Sequence, residues 1–241
     1  MGSMSLRDLP TRIGLWPEFA LLDGIKVPIR GSFLAPKMRR HLMRGGYERA
    51  ERKLLAELVK EGDVVIELGA SLGIVTTLLG KKTGGEGAVV AVEANKQLAP
   101  HFRKQLAVNG IDANLIHALA CPIWEGAIPE KVRSQGFSLK PSSLSGRAEG
   151  PGGDDVTWMT LKEIAEKAGV GSPSVIVIDV EGSEDIWCDQ PPCFPQSVRT
   201  VIVEIHPHII GEIKAGESVQ ALIREGFQVA AISGTVFGLV R

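Results

Sequence analysis

Residues 63–73, Asp-Val-Val-Ile-Glu-Leu-Gly-Ala-Ser-Leu-Gly, place an acid and two glycines at the end of an apolar run. This pattern is typical of a β-strand that turns tightly into a helix, as in nucleotide-binding α/β folds. The Glu67 carboxylate would repel a pyrophosphate, which such turns often bind. The turn therefore favours a nucleotide with a cationic group. S-adenosylmethionine, which carries a sulfonium and an amino group but no phosphate, has this property.

The backbone of the same turn is the second part of the predicted cofactor site. Gly69 allows a tight turn and the close approach of a ligand, and Gly73 is expected to let the start of the helix pack on the strand. Ala70 and Ser71 lie between them. We expect Glu67 and this backbone to bind the methionyl end of the cofactor.

A second acid, Glu93, ends the next predicted strand, 20 residues after Gly73. An acid at this position can accept hydrogen bonds from both ribose hydroxyls of an adenosine. The alternative is an exposed charge at a strand end. Ala94 follows, and Asn95 is expected to be the N-cap of the next helix, a role that needs no ligand.

Further polar groups follow two later apolar runs. Residues 174–178 lead into Asp179 and Glu181, and residues 200–205 lead into His206. Because neighbouring parallel strands end at one sheet edge, where ligands bind, we expect these three side chains beside the sulfonium. Any of them could assist the removal of a proton from an acceptor hydroxyl.

Other roles for these side chains stay open. Asp179, Glu181 and His206 could instead hold Mg²⁺ or Mn²⁺, an alternative that we favour less. Glu181 and Glu184 could cap or pair locally, and His206 could be a surface histidine before a proline. Tyr47, the only tyrosine, could cover the mouth of the cofactor site or anchor the start of a helix.

The elements that position these groups alternate along the chain. Strands are predicted at 63–68, 88–93, 114–119, 174–179, 200–205, 227–232 and 236–240, and helices at 47–60, 72–82, 96–108, 160–168 and 216–225. Unbroken Val/Ile runs indicate a parallel sheet buried on both faces, and Ser233-Gly234 indicates a closing hairpin. We predict a Rossmann-like α/β fold of the class I methyltransferase type. Its seven-stranded, mostly parallel sheet has a C-terminal antiparallel hairpin strand and helices on both faces.

Residues 46–241 are expected to form this domain. An irregular extension, 1–45, precedes it, and its first three residues resemble the remnant of an expression tag. An insertion at about 122–153, including a Gly- and Ser-rich loop at 141–153, follows the third strand. Extra short strands are expected in 122–138, and the loop is expected to cover the acceptor or to be a disordered surface segment.

Composition narrows the class of protein. The 241 residues are 44% hydrophobic and 23% charged, with a formal net charge of −1, so there is no general attraction to nucleic acid or membranes. Of the three cysteines, Cys188 and Cys193 could pair, but nothing else implies an oxidising compartment. We expect a cytoplasmic enzyme with a small-molecule partner, no nucleic-acid or membrane partner, and possible assembly into a homo-oligomer.

With these residues identified, the chain resembles the FkbM-like family of S-adenosylmethionine-dependent methyltransferases over roughly residues 46–240. The segments that carry the resemblance are Gly46-Tyr-Glu48, residues 67–73, Val92-Glu-Ala-Asn95, Ser142-Ser-Leu144, residues 157–161, Ile178-Asp-Val-Glu-Gly-Ser-Glu184 and Val203-Glu-Ile-His206. The Asp-Val-Glu-Gly element with the downstream Glu-Ile-His is the most specific. Ser71, Ala94 and Lys162 depart from residues common in the family.

The resemblance implies methyl transfer to a hydroxyl of a sugar, polyketide or other natural-product small molecule. We expect His117 and Ala118, after the third strand, to flank the adenine, and Asp179 to contact both cofactor and acceptor. One rival is a nicotinamide-dependent oxidoreductase, which Glu67, the closing hairpin and the lack of a full G-x-G-x-x-G disfavour. The other is a catalytically inactive S-adenosylmethionine-binding module.

Overall fold

The protein is described by a computed structural model covering residues 16–30, 34–124, 126–139, 146–148, 156–187 and 194–241. The strands are β1 (Phe19–Leu22), β2 (Ile25–Pro28), β3 (Val64–Leu68), β4 (Ala88–Val92), β5 (Asn114–Ile116), β6 (Leu119–Cys121), β7 (Phe137–Leu139), β8 (Gly146–Ala148), β9 (Trp158–Thr160), β10 (Val175–Ile178), β11 (Thr200–Glu204), β12 (Gln228–Ser233) and β13 (Val236–Val240). The helices are α1 (Pro36–Met43), α2 (Arg49–Leu58), α3 (Ile74–Thr83), α4 (Ala99–Ala107), α5 (Glu130–Arg133), α6 (Leu161–Ala168), α7 (Pro207–Ile210) and α8 (Glu212–Arg224), with 3₁₀ turns at Lys96–Leu98 and Glu184–Trp187.

Seven strands form the central sheet in the order β12-β13-β11-β10-β3-β4-β5. The five strands from β11 to β5 are parallel, and β13 is antiparallel to both of its neighbours. From β3, the strands β4 and β5 follow on one side of the sheet, and β10 and β11 follow on the other. The strand order therefore reverses between β3 and β10, and this leaves a crevice at their carboxyl ends. This confirms the predicted fold class.

The central strands are apolar throughout because helices cover both faces of the sheet. Ile66 and Ile176 enter one core with residues of α6 and α8, whereas Val65 and Val177 enter another with residues of α2 and α3. Each such side chain, when fully buried, contributes about 1.5–3 kcal/mol of transfer free energy. The unbroken Val/Ile runs are thus the direct consequence of two-sided burial.

A polar clamp holds the amino ends of three central strands, opposite the crevice. Asp63, just before β3, accepts hydrogen bonds from the Arg199 guanidinium (2.5 Å) and from the Ser174 hydroxyl (2.7 Å). Ser174 precedes β10 and Arg199 precedes β11, so one buried carboxylate connects three strands. The clamp keeps the three strands in register, and their carboxyl ends therefore remain together.

The N-terminal segment differs from the irregular extension that we expected. Strands β1 and β2 form an antiparallel hairpin, and α1 follows it. Apolar side chains of the hairpin, including Leu22 and Ile25, pack against Leu72 and Ile74 at the turn after β3. The apolar runs in this part of the sequence are too short, and too often interrupted by Gly and Pro, to predict these elements. The hairpin nevertheless forms part of the wall beside the turn after β3.

The third predicted strand also differs. Strand β5 ends at Ile116, and the chain leaves the central sheet so that β6 pairs in parallel with β9. The reason is a separate small core in which Leu119 and Cys121 pack with Phe137 and Trp158. One of the extra strands, β7, lies in the expected range and pairs with β8 at Gly146–Ala148. The remainder of the predicted loop at 141–153, and Cys188 and Cys193, lie outside the described residues.

The other predicted elements agree closely with the structure, with one exception among the helices. Helix α8 begins at Glu212 rather than at 216, and the short helix α7 precedes it. Gly211 separates the two with a φ of +87°, a backbone conformation that glycine adopts without strain. None of the helices in the described part of the chain is long and apolar enough to cross a membrane.

Candidate functional site

A pocket lies where β3 and β10 end, between the turn after β3 and the start of α2. Its polar side chains are Tyr47, Glu48, Glu51, Glu67, Ser71 and Asp179. Four of these six carry a carboxyl group and none is basic. A pocket of this composition is suited to a cationic ligand.

The turn after β3 has little capacity to bind phosphate because its N–H groups are already bonded within the protein. Gly69 and Ala70 both donate to the Val92 carbonyl, at 2.9 and 3.0 Å. The Ser71 N–H donates to the Glu93 carboxylate at 2.8 Å. A phosphate site needs such groups free and pointing at the ligand, so this turn does not resemble one.

The two glycines of the turn have different physical roles. Gly69 has a φ of +90°, and a Cβ there would lie 1.7 Å from the Asp179 carbonyl oxygen. The turn can therefore approach β10 this closely only with glycine. A Cβ at Gly73 would lie 2.7 Å from the Phe102 ring on α4, so the expectation that Gly73 allows packing on the strand is wrong. It allows packing against a neighbouring helix.

Glu67 is the most buried acid of the turn. It is 2% exposed and accepts a hydrogen bond from the Thr76 hydroxyl on α3 at 2.5 Å. Burial raises the pKa of Glu67 to about 8, with smaller contributions from the charges of Glu93 and Glu48, whereas the Thr76 bond opposes the rise. A cation in the pocket would stabilise the ionised carboxylate, which the protein alone leaves poorly compensated.

Glu93 connects the first turn to the next one. Its carboxylate accepts the N–H of Ser71 through one oxygen and the N–H of Asn95 (2.7 Å) through the other. Burial raises the pKa of Glu93, and these backbone hydrogen bonds oppose the rise. The group is therefore a positioned acceptor and not the exposed strand-end charge of the alternative reading.

The residues that follow Glu93 also lie close to it. Asn95 caps the next turn by accepting the Gln97 N–H, as predicted. His117 Nδ1 lies 3.2 Å from the Glu93 carbonyl oxygen, and Ala118 beside it is buried. Ala94 packs against the small core of the insertion. The turns after β4 and β5 thus lie next to each other.

Asp179 follows β10, and its carboxylate reaches both the pocket and the end of β11. The His206 Nε2 lies 3.7 Å from its Oδ1, which has no hydrogen-bond partner among the described residues. Burial raises the pKa of Asp179 well above its ordinary value, and the charges of Glu48, Glu204 and Glu181 add to this.

Glu181, two residues on, has a φ of +52°, a strained conformation for a residue with a side chain. Its carboxylate also belongs to a group of three titratable side chains. Carboxylate or imidazole atoms of Asp179, Glu181 and His206 all lie within 4.8 Å of one another. The structure therefore brings together the three side chains that the sequence predicted.

His206 is oriented by a buried acid. Its Nδ1 lies 2.6 Å from Glu184 Oε1, and Glu184 is fully buried and also accepts the Gly182 N–H. Burial lowers the pKa of His206, but the Glu184 hydrogen bond and the nearby negative charges outweigh it and raise the pKa to about 9. The imidazole therefore carries a proton at neutral pH in the ligand-free protein, which argues against its acting there as a neutral base.

Sequence reasoning missed three acids of the site. Glu48 immediately precedes α2, Glu51 lies in its first turn, and Glu204 ends β11; with Asp179 their carboxylate atoms lie within 4.8 Å of one another. Helical spacing gives no signal for this group, because Glu48 lies outside the helix with a φ of +45°. Tyr47 is 8% exposed, lines the pocket and donates its hydroxyl to Glu48, so it belongs to the site as well as to the helix start.

Comparison with known proteins identifies the chemistry. Residues 67–225 match the family model described as Methyltransferase FkbM domain, which covers more than half of the chain. That range contains the turn after β3, Glu93, and the ends of β10 and β11. No curated protein sequence gives a significant match.

Several solved structures are similar at low sequence identity. Fibrillarin from Aeropyrum pernix, in complex with S-adenosyl-L-methionine, is 13% identical, covers 78% of this chain and 73% of its own, and has a TM-score of 0.46. Precorrin-6y C5,15-methyltransferase from Geobacter metallireducens is 12% identical over 79% and 87%, with a TM-score of 0.46. Ribosomal protein L11 methylase from Lactobacillus delbrueckii is 15% identical over 81% and 77%, with a TM-score of 0.45. At these values the family match alone carries the assignment.

The raised pKa of Glu67 predicts how stability depends on pH. The folded protein holds the Glu67 proton up to about pH 8, whereas the unfolded chain releases it near 4.5. The stabilising contribution is therefore complete below the unfolded value and is lost as pH rises through the folded one. In urea unfolding, Glu67→Gln should gain stability over the wild type by up to about 1.4 kcal/mol per pH unit between these values.

The matched control is Glu57→Gln, which removes an exposed carboxyl group from α2. Its stability should remain parallel to that of the wild type at every pH. If the Glu67→Gln curve is also parallel to the wild type, Glu67 is already ionised in the folded protein and the account of its burial is wrong.

Proposed function

The chain belongs to the FkbM methyltransferase family and uses S-adenosylmethionine as its methyl donor, and from this we propose that its acceptor is a hydroxyl group of a small molecule. The acceptor class, a sugar, polyketide or other natural product, is inferred from the family resemblance. The proposal includes action on a free small molecule in the cytoplasm, without nucleic acid or a membrane surface.

One observation carries the assignment of the cofactor end of the site. Glu67 is buried in the pocket at a turn where the N–H groups of residues 69–71 are already bonded. A dinucleotide would bring a pyrophosphate to this turn and would meet a carboxylate and no free donors. This disfavours the nicotinamide-dependent oxidoreductase. The ammonium and sulfonium of a methionyl group would instead be attracted by the Glu67 carboxylate.

The remaining cofactor contacts are proposals that follow from position. Glu67 and the backbone of residues 69–73 would hold the methionyl end, and Glu93 would accept from the ribose hydroxyls. His117 and Ala118 lie beside Glu93 and would flank the adenine. Glu93 already accepts two backbone N–H groups, so a ribose would use the remaining lone pairs of its two oxygens.

On the acceptor side, Asp179 is the best candidate for the base. S-adenosylmethionine supplies an activated methyl group, so the protein must mainly align the acceptor with it and receive a proton. Asp179 has a raised pKa, which brings it nearer to that of a useful base at neutral pH. His206, protonated and held by Glu184, would stabilise the Asp179 carboxylate, and Glu181 would assist from the adjoining turn.

Two findings support an active enzyme over a binding module with an inactive site. Glu184, which is fully buried, orients His206 towards Asp179, an arrangement that cofactor binding alone would not need. Glu181 is held in a strained backbone conformation next to the same groups. Strain of this kind is found most often at functional sites.

The cofactor proposal predicts a ligand response. S-adenosylhomocysteine should raise the melting temperature of the wild type, and NAD should not, because only a ligand selective for the folded state stabilises it. Glu93→Ala should weaken S-adenosylhomocysteine binding by roughly 1.5–3 kcal/mol, the contribution of hydrogen bonds to a charged acceptor. Calorimetric titration measures this affinity.

Glu86→Ala, an exposed acid just before β4, is the control and should bind like the wild type. Because Glu93 also holds the Ser71 N–H, Glu93→Gln is measured too, since it retains the side-chain volume. Tight binding of NAD without a response to S-adenosylhomocysteine would contradict the proposal.

The acceptor proposal predicts the effect of two substitutions. With a panel of hydroxylated small molecules as acceptors, Asp179→Asn and His206→Ala should lower turnover by about 10²–10⁴, the usual contribution of acid–base groups. S-adenosylhomocysteine formation measures turnover. His208→Ala, which removes an exposed imidazole 5.8 Å from the His206 ring, should leave it unchanged.

Glu184→Gln tests whether Glu184 acts through the charge that it places beside His206 or only through packing. Because the Glu184 charge raises the pKa of His206 towards 9, this variant should move the alkaline limb of the pH–rate profile to lower pH. Full turnover in both Asp179→Asn and His206→Ala would show that neither side chain assists the transfer.

A further inference from the structure

Four carboxyl groups converge at one point between α2 and the ends of β10 and β11. They belong to Glu48, Glu51, Asp179 and Glu204, and one oxygen of each lies within 4.8 Å of the others. Glu48, Glu51 and Asp179 line the pocket beside Glu67, and Glu204 does not, so this group, the four-carboxylate cluster, extends from that pocket towards β11. Glu67 is not a member of it.

Glu51 is a member of the cluster with one buried oxygen that has no hydrogen-bond partner among the described residues. The residue is 3% exposed, and this oxygen is its Oε2. Burial raises the pKa of Glu51 well above its ordinary value, and the charges of Asp179 and Glu48 raise it further. A buried carboxylate oxygen without a donor is costly, and in native proteins it usually has an ion, a water molecule or a ligand beside it.

Two basic side chains near the cluster, within the described part of the chain, have other partners. Arg52, next in sequence, donates to the Gly45 carbonyl (2.9 Å), and its Nε lies 3.3 Å from Asp23 at the N-terminal hairpin. Its Nη1 has no hydrogen-bond partner among the described residues. His206 contacts Asp179 on the other side and is bonded to Glu184. Glu48 is held in the cluster by a backbone φ of +45° at the start of α2, a conformation that is unfavourable for this residue.

We propose that the four-carboxylate cluster is a binding site for one divalent cation of the Mg²⁺, Mn²⁺ or Ca²⁺ type. Carboxylate oxygens are the ligands that these ions prefer, at about 2.0–2.6 Å from the metal. Oxygens on opposite sides of such an ion are then about 4–5 Å apart, which matches the observed spread. An ammonium group has only three donors and one charge, so it would leave part of this cluster unpaired.

The cation would also act on the acceptor. This consequence rests on the proposed function, whereas the proposal of the cation site itself does not rest on it. The cluster shares Asp179 with the proposed base, so the cation would lie where the acceptor binds. With the cation bound, Asp179 would be its ligand, and the cation would lower the pKa of the acceptor hydroxyl in place of that base. The set Asp179, Glu181 and His206 is less suitable because the imidazole of His206, bonded to Glu184 and protonated at neutral pH, has no free lone pair for a metal.

The test is a titration with Mn²⁺ followed by electron paramagnetic resonance, on full-length protein freed of metal with EDTA. The wild type should bind about one Mn²⁺ per chain at concentrations below about 1 mM, and Mg²⁺ or Ca²⁺ should compete. Glu51→Gln should weaken Mn²⁺ binding at least about tenfold, because it removes a charged ligand. Glu57→Gln, on the exposed face of the same helix, should bind like the wild type.

Glu51→Gln should melt no lower than the wild type without metal, because Gln retains the volume of Glu51 and its raised pKa already disfavours the charged form there. Mn²⁺ should raise the melting temperature of the wild type and of Glu57→Gln but not of Glu51→Gln. Absence of Mn²⁺ binding in the wild type, or equal binding in Glu51→Gln, would overturn the proposal. S-adenosylhomocysteine affinity is measured on the same samples, so failure of the cation site is distinguishable from failure of the proposed function.

Discussion

The site depends on one electrostatic constraint, the burial of carboxyl groups at the end of the sheet with almost no basic side chain to balance them. Burial is the largest cause of the raised pKa of Glu51, Glu67, Glu93 and Asp179. Among the described residues at the site, His206 supplies the nearest positive charge, and Glu184 shares it. Such an arrangement costs folding free energy in the ligand-free protein and favours whatever cation enters. The methyl donor of this family is a cation.

The fold explains how so many acids are brought to one place. Parallel strands deliver Glu67, Asp179 and Glu204 to the same edge, and the switch between β3 and β10 leaves a crevice there. Gly69 allows the turn to approach the Asp179 backbone closely. Helix α2, which precedes β3 in the chain, then adds Glu48 and Glu51 from outside the sheet.

Local patterns in the sequence were sufficient for the sheet and for the groups at its strand ends. Val/Ile runs mark strands buried on both faces, and an acid after such a run lies at the ligand edge, which is why Asp179 could be predicted to face His206. The contacts that were missed connect distant segments. Neither the Glu184–His206 bond nor the approach of Glu51 to Asp179 and Glu204 has a local signature. The docking of the N-terminal hairpin depends on a surface formed by α3 and α4.

The central claim is that the buried acids ionise when the cationic cofactor arrives. Isothermal calorimetry of S-adenosylmethionine binding at pH 7, repeated in buffers with different ionisation enthalpies, counts the protons exchanged. The account predicts net proton release, of about one proton if Glu67 alone responds, because a group with a pKa of about 8 is mostly protonated beforehand. S-adenosylhomocysteine, which lacks the sulfonium charge, should release fewer. Zero release or net proton uptake with S-adenosylmethionine would contradict the account.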